Sequence, residues 1–257
     1  MYTKEIYEQA FVLRKKGFSI RRVARHLKIP AYSTIRDWTI LGKTPRGKFL
    51  NSEFKKITPG LGYILGVVEG DGYITLRRTK GNIGLEVNDR DFALCFKDKL
   101  EKWSGLKVKF KITEGQNTRF IVTLHSLRAA QYLKSFDIYC LTNAEENIKS
   151  MFLRGFFDAE GGVSGSNLKT PRIATRFIAV FNSDKKLILF VKNLIESLNI
   201  KVQNIDIKIG SGFNKNGIYY RLRIGSKENL IKFKQRIGFS IERKNKKLDE
   251  VLNSYQK

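Results

Sequence analysis

The chain has 257 residues with 49 Lys+Arg against 24 Asp+Glu, a formal charge of +25, and 42% hydrophobic residues, enough for a packed core and too many for a disordered tail. No apolar run reaches the roughly 18 residues of a membrane span, Met1 to Glu5 opens no signal-peptide core, and Cys95 and Cys140, even with His26 and His125, disfavour a disulfide framework or a zinc site. A soluble intracellular protein with a polyanionic partner is expected, its charge split as +10 over residues 1–60, +3 over 61–150 and +12 over 151–257.

Residues 4–16 place Ile6, Ala10 and Leu13 on one helical face and stop at Gly17, a usual helix end. Ser19 is suited to cap a second helix carrying Ile20, Val23, Ala24 and Leu27, and Pro30 marks the turn after it. A third helix is predicted over Ser33 to Leu41 with Ile35 and Trp38 inward, leaving Tyr32, Thr34, Arg36 and Lys43 outward. The pattern resembles the helix-turn-helix of resolvase-like and repressor-like DNA-binding modules. Arg21, Arg22, Arg25 and Arg36 crowd the same unit and favour DNA contact; the alternative is a small helical packing element that touches no groove. Residues 1–45 are assigned to this module and 46–60 to a basic linker holding Gly47, Lys48, Lys55 and Lys56.

An internal repeat follows. Ile64-Leu65-Gly66-Val67-Val68-Glu69-Gly70-Asp71-Gly72 matches Leu153-Arg154-Gly155-Phe156-Phe157-Asp158-Ala159-Glu160-Gly161 at an offset of 89. Downstream, Leu85 to Asp89 is matched to Ala179 to Ser183 and Leu106-Lys107-Val108 to Ile200-Lys201-Val202, both at 94, which implies a five-residue insertion around Ser164 to Pro171. Each half is expected to run helix, strand pair, helix, strand pair, helix, so that residues 61–150 and 151–257 form a pseudo-twofold pair.

The repeated helix carries Gly62, Gly66 and Gly70 at a spacing of four, with Gly155 and Ala159 in the second copy. Interior glycines cost a helix about 1 kcal/mol each relative to Ala, so a stripe of them calls for a close backbone neighbour. The simplest neighbour is the other copy. Two such helices lying side by side in one direction bring Asp71 and Glu160 together at their C-terminal ends, each followed by a glycine (Gly72, Gly161) expected to leave the helix in a left-handed conformation. Negative dipole ends and two carboxylates repel unless cations fill the gap, and hard divalent ions suit oxygen ligands. Glu69 and Asp158, two residues earlier, are expected to point elsewhere. The alternative is a pair of solvated helix-end acids.

Both segments resemble the LAGLIDADG motif of homing endonucleases, and the resemblance covers residues 61–257, both halves of a single-chain, two-repeat member. It implies an α+β fold, a pseudo-twofold pair of αββαββα repeats forming a saddle, here preceded by the small all-α module. It also implies that Asp71 and Glu160 bind divalent metal, with the carbonyls of Gly70 and Ala159 as auxiliary ligands. Mg2+ is the expected cofactor; Mn2+ is expected to substitute and Ca2+ to bind without supporting cleavage. Metal-assisted phosphodiester hydrolysis follows from the resemblance and needs no protein nucleophile, which suits a chain with no Ser/His or Cys/His constellation. Family members often place a basic residue near the last helix of each repeat, and after Gly238-Phe239-Ser240 that residue is taken as Lys244, an ordinary exposed lysine being the alternative. The first-half stretch Cys140-Leu141-Thr142-Asn143 has no lysine, a departure that implies unequal rates for the two strands. Asn88 and Asn182 end matched strands and are placed beside the acids, helix capping being the other reading.

Alternating strands supply the expected DNA surface: Tyr73, Thr75 and Arg77; Lys107, Lys109 and Lys111; Arg221 and Arg223. Arg119, Arg172, Arg176 and Lys201 are added as basic residues of the same surface. The partner is double-stranded DNA with a long, partly asymmetric site, met by a monomer with no membrane association. The leading expectation is a site-specific, intron-encoded homing endonuclease. An intron RNA maturase or a non-cutting DNA-binding regulator on the same scaffold is the alternative. An intein is disfavoured, since neither a Cys/Ser start nor a His-Asn end frames the domain.

Overall fold

The structure, a computed structural model, describes residues 2, 4–43, 50–51, 53–115, 117–166, 175–209 and 217–255. It divides into two compact units, Met1–Lys56 with Trp103–Lys107, and Ile57–Lys102 with Val108–Lys257. Among the described residues no helix is long and apolar enough to cross a membrane.

The first unit contains α1 (Lys4–Lys15), α2 (Ile20–His26) and α3 (Tyr32–Thr39). Helix α1 ends where glycine permits it: Gly17 takes φ +83°, while its N–H reaches Arg14 O (3.0 Å) and that of Phe18 reaches Leu13 O (3.2 Å). Ser19 caps α2 by accepting from Arg22 N at 3.3 Å. Helix α3 starts at Tyr32, one residue before the expected position, on an Ala31 cap with no side-chain bond. Ala10, Val23, Ala24, Ile29, Ile35 and Trp38 are buried together, and Tyr2 and Tyr7 pack edge-on against Trp38 at 5.0 and 5.5 Å. Residues 103–107 cluster here because Trp103 Nε1 donates to Phe54 O (2.6 Å) and Asn51 N to Ser104 O (2.8 Å). Lys48 and Gly47 of the expected linker lie outside the described residues.

The second unit holds both repeats. The first runs α4 (Pro59–Glu69), β1 (Gly72–Arg77), β2 (Lys80–Val87), α5 (Arg90–Ser104, its last two residues in the first unit), β3 (Lys109–Thr113), β4 (Arg119–His125), α6 (Leu127–Lys134) and a 3-10 turn, Ile138–Asn143. The second runs α7 (Glu146–Glu160), β5 (Gly161–Ser166), β6 (Thr175–Asn182), α8 (Lys185–Ser197), β7 (Asp206–Ile209), β8 (Ile218–Ile224), α9 (Lys227–Arg236) and α10 (Glu242–Asn253). The two antiparallel four-stranded sheets repeat one topology, β1-β2-β4-β3 and β5-β6-β8-β7.

Strand register corrects the sequence alignment by one residue. Gly72 faces Leu85 and Gly161 faces Val180, and Val87 faces Phe120 where Asn182 faces Tyr220. Asp89 and Asp184 each accept the first helical amide, from Ala93 and Ile188. Gly72 and Gly161 keep the 89-residue offset, whereas Leu85 and Val180, Val87 and Asn182, and Asp89 and Asp184 are each 95 apart, so the insertion is six residues and the partner of Asn182 is Val87, not Asn88. A slip of one residue moves a side chain to the opposite sheet face.

The halves also differ at their ends. Ser126 and Ser226, 100 apart, cap α6 and α9 through Ala129 N (3.3 Å) and Asn229 N (3.4 Å). Beyond them the second repeat adds α10, which packs against β5, while in the first repeat α6 itself packs against β1 and β2.

Helices α4 and α7 run side by side in one direction at the centre of the unit. A Cβ on Gly66 would stand 2.0 Å from Phe152 O and 2.8 Å from Phe156 N. One on Gly155 would stand 2.3 Å from Tyr63 O and 3.1 Å from Val67 N. These contacts exchange under the 89-residue offset, the signature of a local twofold axis. Around them Leu61, Ile64, Leu65, Val67, Phe152 and Phe156 are fully buried or nearly so; each such aliphatic side chain contributes roughly 1.5–3 kcal/mol.

Candidate metal and nucleic-acid site

The glycine stripe determines where the acids lie. At the C-terminal ends of α4 and α7 a Cβ on Gly70 would meet Ala159 Cβ at 2.4 Å and Glu160 Cγ at 3.2 Å. Asp71 therefore leaves α4 beside the last residue of α7, Glu160. Burial, then the negative charge of Asp71, pushes the Glu160 carboxyl up to about 7, against the pull of Asn182 and Lys244. Asp71 is open to solvent yet crowded by the helix ends, and the lost hydration raises its carboxyl while Lys244 lowers it. Asn182 Nδ2 donates to Glu160 Oε1 at 3.3 Å.

The glycines after the acids are present for space, not for handedness. Gly161 has φ −88° and ψ 149°, and Gly72 is not among the positive-φ glycines. A Cβ at Gly72 would sit 2.9 Å from Val67 O, and one at Gly161 2.5 Å from Phe157 O. Each chain doubles back so closely over its helix end that a side chain there has no room.

Beside Asp71 opens a cleft of about 430 Å3 whose lining includes Ala159, Asp158, Lys244, Asp89 and Arg243. Lys244 is buried, 7% exposed, which rules out an ordinary surface lysine. Its Nζ donates to Phe157 O (3.1 Å) and Asp158 O (2.6 Å), capping carbonyls at the end of α7. Desolvation brings its ammonium down to about 8 despite the carboxylates nearby. Asp158 is 2% exposed and accepts from Tyr63 Oη (2.8 Å), Ser240 N (2.9 Å) and Ser240 Oγ; burial raises it against those bonds. Burial, with the Asp158 charge, also lifts the Tyr63 phenol well above its ordinary value. Arg243 forks onto Asp89, Nε to Oδ1 at 2.6 Å and NH2 to Oδ2 at 2.8 Å, which holds the Asp89 carboxyl low. Asn88 lines the same cleft.

The register places the expected DNA contacts. Tyr73, Gly84, Thr123 and Lys109 form one cross-strand row, and Glu86, Ile121 and Lys111 another, so Tyr73, Thr75, Arg77, Lys109, Lys111 and Arg119 share one sheet face by alternation. Arg119 pairs there with Glu86 at 2.8 Å. On the second sheet Arg221 and Arg223 converge on Asp206 at 2.7 and 3.0 Å and lie over Phe181 and Phe177. In the first unit Arg21, Arg22, Arg25 and Arg36 are all exposed.

One residue departs from the expected surface, two lie outside the strands, and a fourth cannot be placed. Arg176 alternates with Phe177 and faces the other way, donating to Ser254 Oγ (2.8 Å) and Ser254 O (3.2 Å) and covering the Tyr255 ring; it caps the end of α10. Lys107 and Lys201 are exposed but precede β3 and β7. Arg172 lies outside the described residues.

Sequence reasoning missed the Tyr63–Asp158–Ser240 network and the Arg243–Asp89 fork, whose partners are 82 to 177 positions apart. The usable signal was Tyr63 itself, a phenol inside the wholly buried run Leu61–Val67, where its hydroxyl needs a partner. Among the described residues no group of three or more His, Cys, Asp or Glu is placed to hold a metal. Any cation at this site would rest on the two acids, backbone carbonyls and ligands from outside the chain.

A family model described as LAGLIDADG-like domain matches residues 147–238. The uncharacterized protein MJ0398 of Methanocaldococcus jannaschii is 31% identical over 95% of this chain and 92% of its own. The fold is similar to the homing endonuclease I-DmoI in complex with DNA and Ca, at TM-score 0.53, 17% identity, 75% of this chain and 98% of that one. Its complex with DNA and Mn is similar at 0.51 and 18%, over 71% and 98%. Full-length DUF199/WhiA from Thermatoga maritima is similar at 0.51 and 14%, over 79% and 64%. With two copies of the motif at the centre of two equivalent sheets, the chain belongs to the LAGLIDADG family.

Proposed function

We propose that this protein is a site-specific, divalent-metal-dependent endonuclease acting on double-stranded DNA, and that residues 1–45 extend its footprint as a helix-turn-helix module. The observation that carries the reading is the convergence of Asp71 and Glu160 where the ends of α4 and α7 touch. Two carboxylates whose protons are held by burial, and at Glu160 also by the charge of Asp71, form a site that a hard cation relieves. The donor set is all oxygen and offers two acids, which fits Mg2+, an ion that keeps several waters and takes further ligands from a phosphate. Asp71 and Glu160 would hold it, with Gly70 O and Ala159 O beside them. When bound, such an ion lowers the pKa of an attacking water and neutralises charge developing on the phosphate.

The chain's own residues supply the rest. Asn182 orients the Glu160 carboxylate. Lys244, its Nζ held on the carbonyls of Phe157 and Asp158, keeps a positive charge at the wall of the cleft beside Asp71, which would favour an anionic phosphate there. Lys109, Lys111, Arg77, Arg221 and Arg223 present cations on the sheet faces to the DNA backbone and base edges, and Arg21, Arg22, Arg25 and Arg36 do so from the first unit.

A non-cutting binder of DNA or intron RNA is the second reading, favoured by the absence, among the described residues, of any group of three or more His, Cys, Asp or Glu placed to hold a metal. Incubation with a randomised duplex library and Mg2+ separates the two. Cleavage at a defined site, lost in Asp71→Asn and Glu160→Gln while gel-shift binding persists, is the expected result. Uncut DNA, or cutting that survives both substitutions, refutes the metal role.

A further inference from the structure

We propose that Asp89 and Arg243 are positioning residues: they hold the start of α10 across the two repeats so that Lys244 is fixed in the cleft that Asp71 lines and Glu160 does not. The inference rests on the nuclease reading above and deepens it.

The scaffold is twofold, but the groups around the acids are not. At the 100-residue spacing of the capping serines, Lys244 falls on Ala144 and Ser240 on Cys140; at the 89-residue spacing of the central helices, Tyr63 falls on Phe152. One half therefore has a buried ammonium, a hydroxyl and a phenol where the other has methyl, thiol and ring. The cleft follows the same division, since Asp71, Asp89, Arg243 and Lys244 line it and Glu160 does not.

Helix α10 has no counterpart that could hold it by symmetry. Its first turn is fastened to the start of α5, in the other repeat: Arg243 forks onto Asp89, and Glu242 N donates to Asp91 Oδ2 at 2.5 Å. A two-bond guanidinium–carboxylate fork restrains direction as well as distance. The equivalent of Asp89 does a different job. Asp184 turns its carboxylate onto its own helix, accepting from Lys186 N (2.8 Å) and Leu187 N (3.2 Å). The same position caps a helix in one repeat and reaches across to the other repeat in the other. Lys244 follows Arg243 directly, and its Nζ ends on the carbonyls of Phe157 and Asp158, so the fork and the ammonium move together.

Two measurements test this, and the first needs neither DNA nor metal. Amine acylation of the full-length protein, read by mass spectrometry, should find Lys244 protected in the wild type. In Asp89→Ala its labelling should rise about tenfold, as expected when a charge-assisted hydrogen bond is lost. Asp89→Glu should restore protection and Arg243→Ala should mimic the loss. Asp89→Asn serves if Asp89→Ala fails to fold. The second measurement follows the two strands of a cleaved duplex with separate labels. Asp89→Ala should slow one strand and spare the other, whereas a general loosening of the fold slows both. Unchanged protection of Lys244 in a folded variant, or equal slowing of both strands, overturns the proposal. Should wild-type protein cut no duplex, the nuclease reading falls, and the labelling alone decides the positioning role.

Discussion

Replacing Gly66 by alanine tests the idea that backbone contact between α4 and α7 builds this site. The added Cβ would lie 2.0 Å from Phe152 O and 2.8 Å from Phe156 N. Both are main-chain atoms of a buried helix, so no side chain can swing away. Restoring an ordinary separation of 3.4 Å requires the helices to part by about 1.4 Å at that point, and the reciprocal contact at Gly155 ties them along the same seam. Overpacking of this kind costs roughly 1–3 kcal/mol, here at the upper end, while alanine returns at most about 1 kcal/mol of helix propensity. The net loss is about 2 kcal/mol, which for a unit of this size lowers the melting temperature by roughly 4–8 °C. Thermal unfolding followed by far-ultraviolet circular dichroism reads it. Gly60→Ala is the control, since its Cβ would find only Thr58 Oγ1 at 3.8 Å; it should match or slightly exceed the wild type. If Gly66→Ala melts with Gly60→Ala, the seam is looser than described and the reasoning fails.

Two further outcomes follow from the site and the sheets. Glu160 holds its proton up to about 7 in the folded protein, against an ordinary value of 4.5, so the folded state binds more protons than the unfolded one across that window. Its contribution to stability is present below pH 4.5 and falls as pH rises towards 7; denaturant midpoints of the metal-free wild type should decline over that range relative to Glu160→Gln, and parallel curves would contradict the assignment. Arg176→Met should cost about 1–2 kcal/mol by uncapping Ser254 while leaving duplex affinity and its salt slope unchanged, whereas Lys109→Met should lower that slope by about one. A fall in the salt slope for Arg176→Met would put that side chain back on the DNA.

What the sequence made legible was whatever depends on local pattern or on the repeat itself. The stop at Gly17, the cap at Ser19, the inward Ile35 and Trp38, and the parallel pairing of two glycine-striped helices all follow from spacing. Asp71 and Glu160 met for the same reason. Errors arose where the pattern had no purchase. The strand ends Leu85 to Asp89 and Ala179 to Ser183 were aligned at 94, and only hydrogen-bond register showed 95, so that Asn182 donates to Glu160 while Asn88, no longer its counterpart, lines the cleft with Asp71. Arg176 looks like any cationic strand residue, because nothing in the sequence says that Ser254 and Tyr255 return beneath it. Gly72 and Gly161 were read for dihedral freedom when their role is steric. Gly84 was not read at all, yet the Tyr73 ring lies where its Cβ would stand, 2.3 Å away.

The repeat explains the centre of this molecule, and the departures from the repeat explain its periphery. A twofold seam tolerates only residues small enough to face themselves, so the helix pair stays symmetric: Gly66 against Phe152 and Phe156, Gly155 against Tyr63 and Val67. One step outward that constraint ends, and each half is free to fill its own surroundings. Asp158 is buried by its half and satisfied by Tyr63 and Ser240; Glu69, its counterpart, stays partly exposed. A buried carboxylate is tolerable only with donors on it, since desolvation would otherwise cost several kcal/mol. Those donors come from α4 and from the chain entering α10, so burying Asp158 also anchors the one helix that the first repeat lacks. The buried acid thus helps decide which of the two helix-end acids has a lysine beside it.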